Sequence, residues 1–273
     1  MSKAPPRILS IAGSDSSGGA GIQADLKTIT MLGGYGMSAI TTITAQNSVG
    51  VSAIAPMSGD VVHKQIMACI DDIGVDAVKI GMLHDTEIIA AVTGALAALD
   101  QSVPIVLDPV MIATSGAALI APEAVAAMRE ELFPKATLIT PNLPELEHLA
   151  DRTLHNSEQM TNAAEALAGA SGAAILAKGG HTEDARIIDL LMIPKEDGGC
   201  RAVSFNHARI DTPHTHGTGC TLSAAIATLM GHGQPLENAV RLARQFVFQA
   251  ITHAPGYGAG NGPLGHQAVR SLD

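Results

Sequence analysis

Tryptophan is absent from this chain of 273 residues, and two tyrosines and four phenylalanines bring the aromatic content to only 2%. So few rings leave almost no stacking platform for bases. Positive charge is scarce as well: 16 Lys and Arg stand against 26 Asp and Glu, a formal net charge of −10. That balance leaves no basic field for nucleic-acid phosphates or an anionic membrane. The three cysteines, Cys69, Cys200 and Cys220, are odd in number and widely spaced, which suits reduced thiols rather than a disulfide framework. No apolar run approaches the roughly 18 to 20 residues of a membrane span. The start, Met1-Ser2-Lys3-Ala4-Pro5-Pro6-Arg7, has no signal-peptide apolar region. A soluble, cytoplasmic protein with neither nucleic-acid nor membrane partners is the expectation.

Apolar residues, by contrast, make up 47% of the chain and charged ones only 15%, enough to build a sizeable interior. Short apolar runs alternate with amphipathic segments throughout. Strands are expected at 7–12, 76–80, 103–107, 136–139 and 173–177. Helices are expected at about 21–32, from Asp85, at 122–132, 142–150, 157–170, 217–231 and 235–253. Pro122 and Pro235 suit first-turn positions, and Ser157 is read as an N-cap. Strands buried on both faces with helical crossovers predict an α/β fold, a mostly parallel sheet in a three-layer sandwich. Segments 186–193 and 200–210, around Pro194-Lys195-Glu196-Asp197-Gly198-Gly199, predict an antiparallel edge hairpin. Nothing resembling a linker or repeat divides the chain, so one domain over 1–273 is expected.

The densest chemical signal is His214-Thr215-His216-Gly217-Thr218-Gly219-Cys220-Thr221, running into the apolar Leu222-Ser223-Ala224-Ala225-Ile226-Ala227. Two glycines let the backbone approach a ligand, and the following helix offers unpaired N–H groups and a positive dipole end, a cradle for phosphate or an oxyanion. The same field is expected to depress the Cys220 pKa and favour thiolate. A glycine turn with Cys220 as a packing residue satisfies the same letters.

In open parallel sheets ligands bind beyond the carboxyl ends of the strands. Gly13-Ser14-Asp15, Gly81-Met82, Asp108, Pro141-Asn142 and Lys178-Gly179-Gly180 all follow predicted strands. Asp108 can organise Mg²⁺ or merely close a turn. Asn142-Leu143-Pro144-Glu145 can do the same, or form a capping box. Lys178 can meet a nucleotide phosphate or be a solvated loop lysine. Standard nucleotide signatures fail: Gly13 to Gly18 has P-loop spacing, but Gly19 and Ala20 replace its Lys and Ser/Thr. Gly260-Asn261-Gly262-Pro263-Leu264-Gly265 lacks the strand-to-helix context of a dinucleotide fingerprint. His214, His216 and Cys220 lack a completing pair for zinc, and no orienting partner supports a cysteine hydrolase.

Taken in order, Ala12-Gly13-Ser14-Asp15-Ser16-Ser17-Gly18-Gly19-Ala20-Gly21-Ile22-Gln23-Ala24-Asp25, Thr44-Ala45-Gln46-Asn47, Lys79-Ile80-Gly81-Met82, Asp108-Pro109-Val110-Met111, Thr140 to Glu145, Lys178-Gly179-Gly180-His181 and the 214–221 motif resemble the ribokinase-like superfamily. The match is specifically to its hydroxymethylpyrimidine/phosphomethylpyrimidine kinases, over almost the whole chain. The resemblance implies a ribokinase-like sandwich, a homodimer, and ATP- and Mg²⁺-dependent phosphorylation of 4-amino-5-hydroxymethyl-2-methylpyrimidine and then of its monophosphate in thiamine biosynthesis. It implies that Gln46 reads the pyrimidine beside Met82, Gly13 and Asp25. The Gly217, Thr218 and Gly219 amides would hold the transferring phosphoryl group while Cys220 takes the hydroxymethyl proton. Asp108, Asn142 and Glu145 would organise Mg²⁺ and its waters, and Lys178 would meet ATP phosphate. Thr114 and Asn261 depart from the family's usual Lys and His. Pyridoxal kinase is the alternative within the class, and a non-catalytic pyrimidine-binding protein the alternative outside it.

Overall fold

A computed structural model describes residues 4–111, 120–179 and 186–270. Thr114, Gly180 and His181 lie outside the described residues. The apolar run after Pro6 forms β1 (Arg7–Asp15), and α1 (Gly21–Met31) returns the chain to β2 (Tyr35–Gln46), which hairpins into β3 (Val51–Pro56). Then follow α2 (Gly59–Ala68), β4 (Ala77–Ile80), α3 (Thr86–Leu96), β5 (Ile105–Leu107), α4 (Pro122–Ala127) and β6 (Leu138–Ile139). The second half comprises α5 (Leu143–Ala150), α6 (Ser157–Ser171), β7 (Ala174–Ala177), β8 (Arg186–Pro194), β9 (Cys200–Ala208), α7 (Thr218–Gly231) and α8 (Leu236–Thr252).

Among the described residues these strands make one sheet of nine, in the order β3-β2-β1-β4-β5-β6-β7-β8-β9. It is parallel from β2 to β7 and antiparallel at both ends. The expected α/β sandwich and the 186–208 hairpin are present. The β2–β3 hairpin was not expected. β2 reads Tyr-Gly-Met-Ser-Ala-Ile-Thr-Thr-Ile-Thr-Ala-Gln, in which small and hydroxylated residues interrupt every apolar run. α2 also went unread, because its short, mixed segment gives little periodic signal. Two caps differ from expectation. Asn156, not Ser157, caps α6 by accepting the Gln159 amide, and Pro235 sits at the cap before Leu236 rather than inside the first turn.

The layers follow from strand parity. Ile8, Ala77, Val106, Leu138 and Leu176 pack under α7 and α8. Their neighbours Leu9, Val78, Ile80, Leu107 and Ile139 face the other way, against α2, α3, α5 and α6. Gly231, the last residue of α7, lies over the amino ends of β1 and β4: a Cβ there would be 2.6 Å from Ile8 Cδ1 and 3.6 Å from Ala77 Cβ. The first turn of α7 is therefore carried to the carboxyl ends of the strands.

That turn is pinned from behind by His266, which is 1% exposed. Its ring bonds the Leu264 carbonyl, so Nε2 accepts from the Thr221 hydroxyl at 2.8 Å. Burial, with Lys27 nearby, lowers its pKa to about 4. A histidine held neutral in the fold but protonatable in the unfolded chain removes stability as pH falls from 6.5 toward 4, by up to about 3 kcal/mol. Urea unfolding at pH 7 and pH 4.5 should show this acid loss, and His266→Asn should flatten it. An unchanged acid slope in the variant would assign the loss to other groups.

Candidate active site

At the carboxyl ends of the central strands the chain leaves a cavity of about 960 Å³. One side is the turn before α7. Gly217 caps the helix with φ +85°, a left-handed conformation, and a Cβ there would stand 1.9 Å from the Gly19 carbonyl oxygen. Only glycine fits so close a backbone crossing. Gly217, Thr218, Gly219 and Cys220 all line the cavity. Among the described residues the Gly217 and Gly219 amides have no hydrogen-bond partner, whereas the Thr218 amide donates to the Thr215 carbonyl at 3.2 Å. The expected three-amide cradle is thus narrowed: Thr218 N–H is occupied by the turn itself. A Cβ on Gly219 would lie 3.2 Å from Asp108 Oδ2 and 3.3 Å from Lys178 Nζ, so the missing side chain keeps the gap before those charges open.

Asp15 and His216, which the sequence places among the candidate segments without assigning them a role, fix this turn. The Asp15 carboxylate is 2% exposed. It accepts from the amides of Ser17 (2.9 Å), Gly19 (3.1 Å) and Ala20 (2.8 Å), from the Ser17 hydroxyl, and from His216 Nε2 at 2.8 Å. Burial opposes its charge, but these donors, His216 foremost, outweigh it and hold the carboxyl below the ordinary range. One anion therefore ties the loop after β1 to the turn before α7. The sequence signal was available: an Asp followed by Ser and glycines is a ready acceptor for successive loop amides.

The pyrimidine-reading residues expected from the sequence stand together at one end of the cavity. Gln46, at the end of β2, keeps its side chain partly exposed, and its Oε1 accepts from Thr44 Oγ1 at 3.2 Å. Met82 is 8% exposed and packs with Val51, Ile54 and Val110. Gly13 faces it, since a Cβ there would be 3.2 Å from Met82 Sδ. Asp25 does not join them. It is fully buried in α1, where it takes Lys79 Nζ at 2.8 Å and Ser10 Oγ at 2.6 Å, and it does not line the cavity. The expected pyrimidine contact is corrected: the α1 helix turns this carboxylate into the sheet, where the Lys79 ammonium neutralises it.

Another part of the cavity lining is charged. Asp108, 2% exposed, accepts from Thr140 Oγ1 at 3.0 Å and Lys178 Nζ at 2.9 Å. Burial works against the Lys178 charge, yet Asp108 and Glu145 hold its pKa above the ordinary lysine value. Asn142 and Glu145 form both bonds of a capping box at the start of α5, at 2.9 and 2.8 Å, and still line the cavity. Burial, countered by Lys178 and reinforced by Asp108, raises Glu145 to about 7.

Cys220 also departs from expectation. It keeps a partly exposed face toward the cavity, but protein encloses its other sides. Burial pushes the thiol up to about 11 against the pull of Lys79 and a hydrogen bond from the Gly21 amide. The helix field does not prevail, because desolvation and two buried carboxylates, Asp25 and Asp108, oppose a third negative charge.

The chain is similar to known proteins in sequence and in fold. A sequence profile described as phosphomethylpyrimidine kinase matches residues 15–265. The hydroxymethylpyrimidine/phosphomethylpyrimidine kinase of Rhizobium meliloti (strain 1021) is 47% identical over 261 residues, 94% of this chain and 96% of that protein. The crystal structure of phosphomethylpyrimidine kinase from Clostridium difficile 630 aligns with TM-score 0.78 and 39% identity, covering 90% of this chain and 99% of that one. A pyridoxal kinase from Staphylococcus aureus, solved with AMP-PCP and pyridoxal, aligns with TM-score 0.88 and 33% identity over 99% of this chain and 97% of that one. A match that runs from Asp15 through the Gly217–Cys220 turn to Gly265 leaves one assignment: the chain belongs to the phosphomethylpyrimidine kinase family.

Proposed function

We propose that this kinase transfers the γ-phosphoryl group of ATP to the 5-hydroxymethyl oxygen of 4-amino-5-hydroxymethyl-2-methylpyrimidine, and then phosphorylates the monophosphate, within thiamine biosynthesis. The observation that carries the reading is that Gln46 and Met82 share one cavity with the free Gly217 and Gly219 amides, Cys220, and the Asp108–Lys178 pair. The Gln46 amide offers an acceptor and a donor, complementary to an exocyclic amino group beside a ring nitrogen. Met82 supplies a polarizable wall for the ring. The pyrimidine alcohol attacks the γ-phosphorus, the bond to ADP breaks, and the hydroxyl proton passes to Cys220 Sγ in its thiolate form, making an S–H bond. The Gly217 and Gly219 amides meet charge on the moving phosphoryl oxygens, so positioning and electrostatics supply most of the acceleration.

Lys178 leaves Asp108 to meet ATP phosphate. Among the described residues no group of three or more His, Cys, Asp or Glu is arranged to hold a metal. Asp108 nevertheless has one carboxylate oxygen turned to the Gly219 gap, and Glu145 lies beside it. That donor set fits a largely hydrated Mg²⁺ carried on phosphate oxygens rather than a protein cage. Bound there, Mg²⁺ would neutralise phosphate charge, with Asp108 and Glu145 holding it and Asn142 orienting Glu145.

The reading includes a single domain over 1–273, supported by the continuous sheet, and a cytoplasmic homodimer. For the homodimer, the support is the apolar surface around the β2–β3 hairpin, where Ile43 is 51% and Val49 67% exposed. No helix among the described residues is long and apolar enough to cross a membrane. Pyridoxal kinase is a second reading, favoured by the S. aureus structure with pyridoxal bound. Coupled assays with both alcohols separate the two, and a higher kcat/KM for pyridoxal would overturn the first.

Three variants test the roles. Cys220→Ala should lower kcat by about 10²-fold or more while pyrimidine affinity stays within about two-fold; unchanged turnover would remove the sulfur from the chemistry. Gln46→Leu should raise the pyrimidine KM by about ten-fold, because buried ring groups lose their partners, and an unaltered KM would exclude it as the reader. His216→Leu frees the turn from Asp15 and should cut kcat by about ten-fold with KM nearly unchanged, whereas His216→Gln, which retains a donor, should recover part of it. Equal losses in both His216 variants would sever the link between that bond and the cradle.

A further inference from the structure

Beneath the cavity floor lies a buried ion pair that the reaction above does not use. Strand parity puts Lys79 on the same face of β4 as Ala77, the face covered by α7. Its register partner on β1 is Ser10. Because α7 ends over Ile8 and Ala77, its first turn, carrying Cys220, lies toward the carboxyl end of that face. The sheet thus delivers the Lys79 ammonium below the turn that holds the sulfur. Lys79 and Asp25 are both 0% exposed, with Nζ and Oδ2 2.8 Å apart. Ser10 Oγ donates to the same oxygen at 2.6 Å, while Asp25 Oδ1 has no hydrogen-bond partner among the described residues. Gly81 makes room for the ammonium, since a Cβ there would be 2.7 Å from Lys79 Nζ.

For packing alone such a pair is a poor device: the cost of removing two charges from water can exceed what their attraction returns, and apolar residues of similar volume often serve as well. What it provides is a fixed cation. The charges that act on Cys220 come from four elements: Lys79 on β4, Asp25 on α1, Asp108 after β5 and Lys178 after β7. The two carboxylates oppose a thiolate, and the Lys79 ammonium is the strongest charge favouring it.

We propose that Lys79, held in place by Asp25, is the positioning residue that stabilises the thiolate form of Cys220 and so equips the sulfur to take the hydroxymethyl proton. The inference rests on Cys220 being the base in the proposed reaction. As the proton moves, the alcohol O–H bond breaks and the S–H bond forms. Lys79 stays paired with Asp25, so no buried charge is stranded when the thiolate is consumed.

The thiolate can be read without turnover, by the pH dependence of iodoacetamide alkylation at Cys220 in the full chain, resolved from Cys69 and Cys200 by peptide mass spectrometry. Lys79→Met should slow Cys220 alkylation at pH 8 by about ten-fold, equivalent to about one unit of upward shift. Asp25→Asn removes an opposing negative charge while its amide oxygen still accepts from the Lys79 ammonium, and should speed it. In turnover, Lys79→Met should shift the acid limb of the kcat profile upward by a similar amount with pyrimidine KM within about two-fold. Opposite movements from the two halves of one ion pair support the assignment; a structural brace alone would move both the same way, and that result, or no change in either, overturns it. If Lys79→Met does not fold, as judged by thermal melting, the Asp25→Asn arm decides alone, unchanged or slower alkylation being the negative result. Failure of Cys220 as the base would show separately, as retained activity in Cys220→Ala with the alkylation shifts intact.

Discussion

The turn before α7 faces the cavity because it is seated on the loop after β1, and the seat is the Asp15 carboxylate. Five donors converge on it, four from Ser17, Gly19 and Ala20 and one from His216 across the fold. A buried anion with so many donors is costly to form but, once satisfied, tolerates few alternative arrangements. The glycines at 19 and 217 follow from it: drawn together by this bond, the two backbones cross so closely that a side chain at either position would collide with the other segment. The cradle is therefore a product of two chain segments 201 residues apart in sequence, held by one charge-assisted bond.

The charges are layered around that frame. The cavity wall carries Asp108, Lys178 and Glu145, which act on one another. One layer deeper, the Asp25–Lys79 pair is closed to solvent. In the proposed reaction the wall charges exchange partners with a polyphosphate, whereas the deeper pair has nowhere to go. The proposed division between groups that bind and groups that tune follows exposure: Lys178 retains 14% side-chain accessibility and Lys79 none.

Burial also explains why the thiol behaves as it does. A helix amino terminus lowers a cysteine pKa when the sulfur is partly solvated. Here the desolvation of Cys220 and the nearby carboxylates exceed that field and raise its pKa. Phosphoryl transfer makes a modest demand on its base, since the attacking hydroxyl becomes strongly acidic only as the new P–O bond forms. In the proposed reaction the thiolate that takes this late proton is the form the Lys79 ammonium favours.

Much of the fold was legible in the chain. Apolar strands of four to six residues set between capped helices could only be a parallel α/β sheet, and Pro194 to Gly199 marked its edge hairpin. The β2–β3 hairpin was not legible, because its Gly, Ser and Thr residues acquire their strand character from pairing with β1. In the site, Cys220, Gly217, Gly219, Asp108 and Lys178 were marked by residue type at strand and helix ends, and the cavity gathers them. Sequence order could not decide which way Asp25 points, that Thr218's amide is consumed by its own turn, or that Asp15 reaches His216. Those outcomes depend on strand parity, helix phase and distances between remote segments. Residue chemistry and local periodicity are written in the chain, but burial, and with it the charge each group can carry, exists only after the sheet has brought distant residues together.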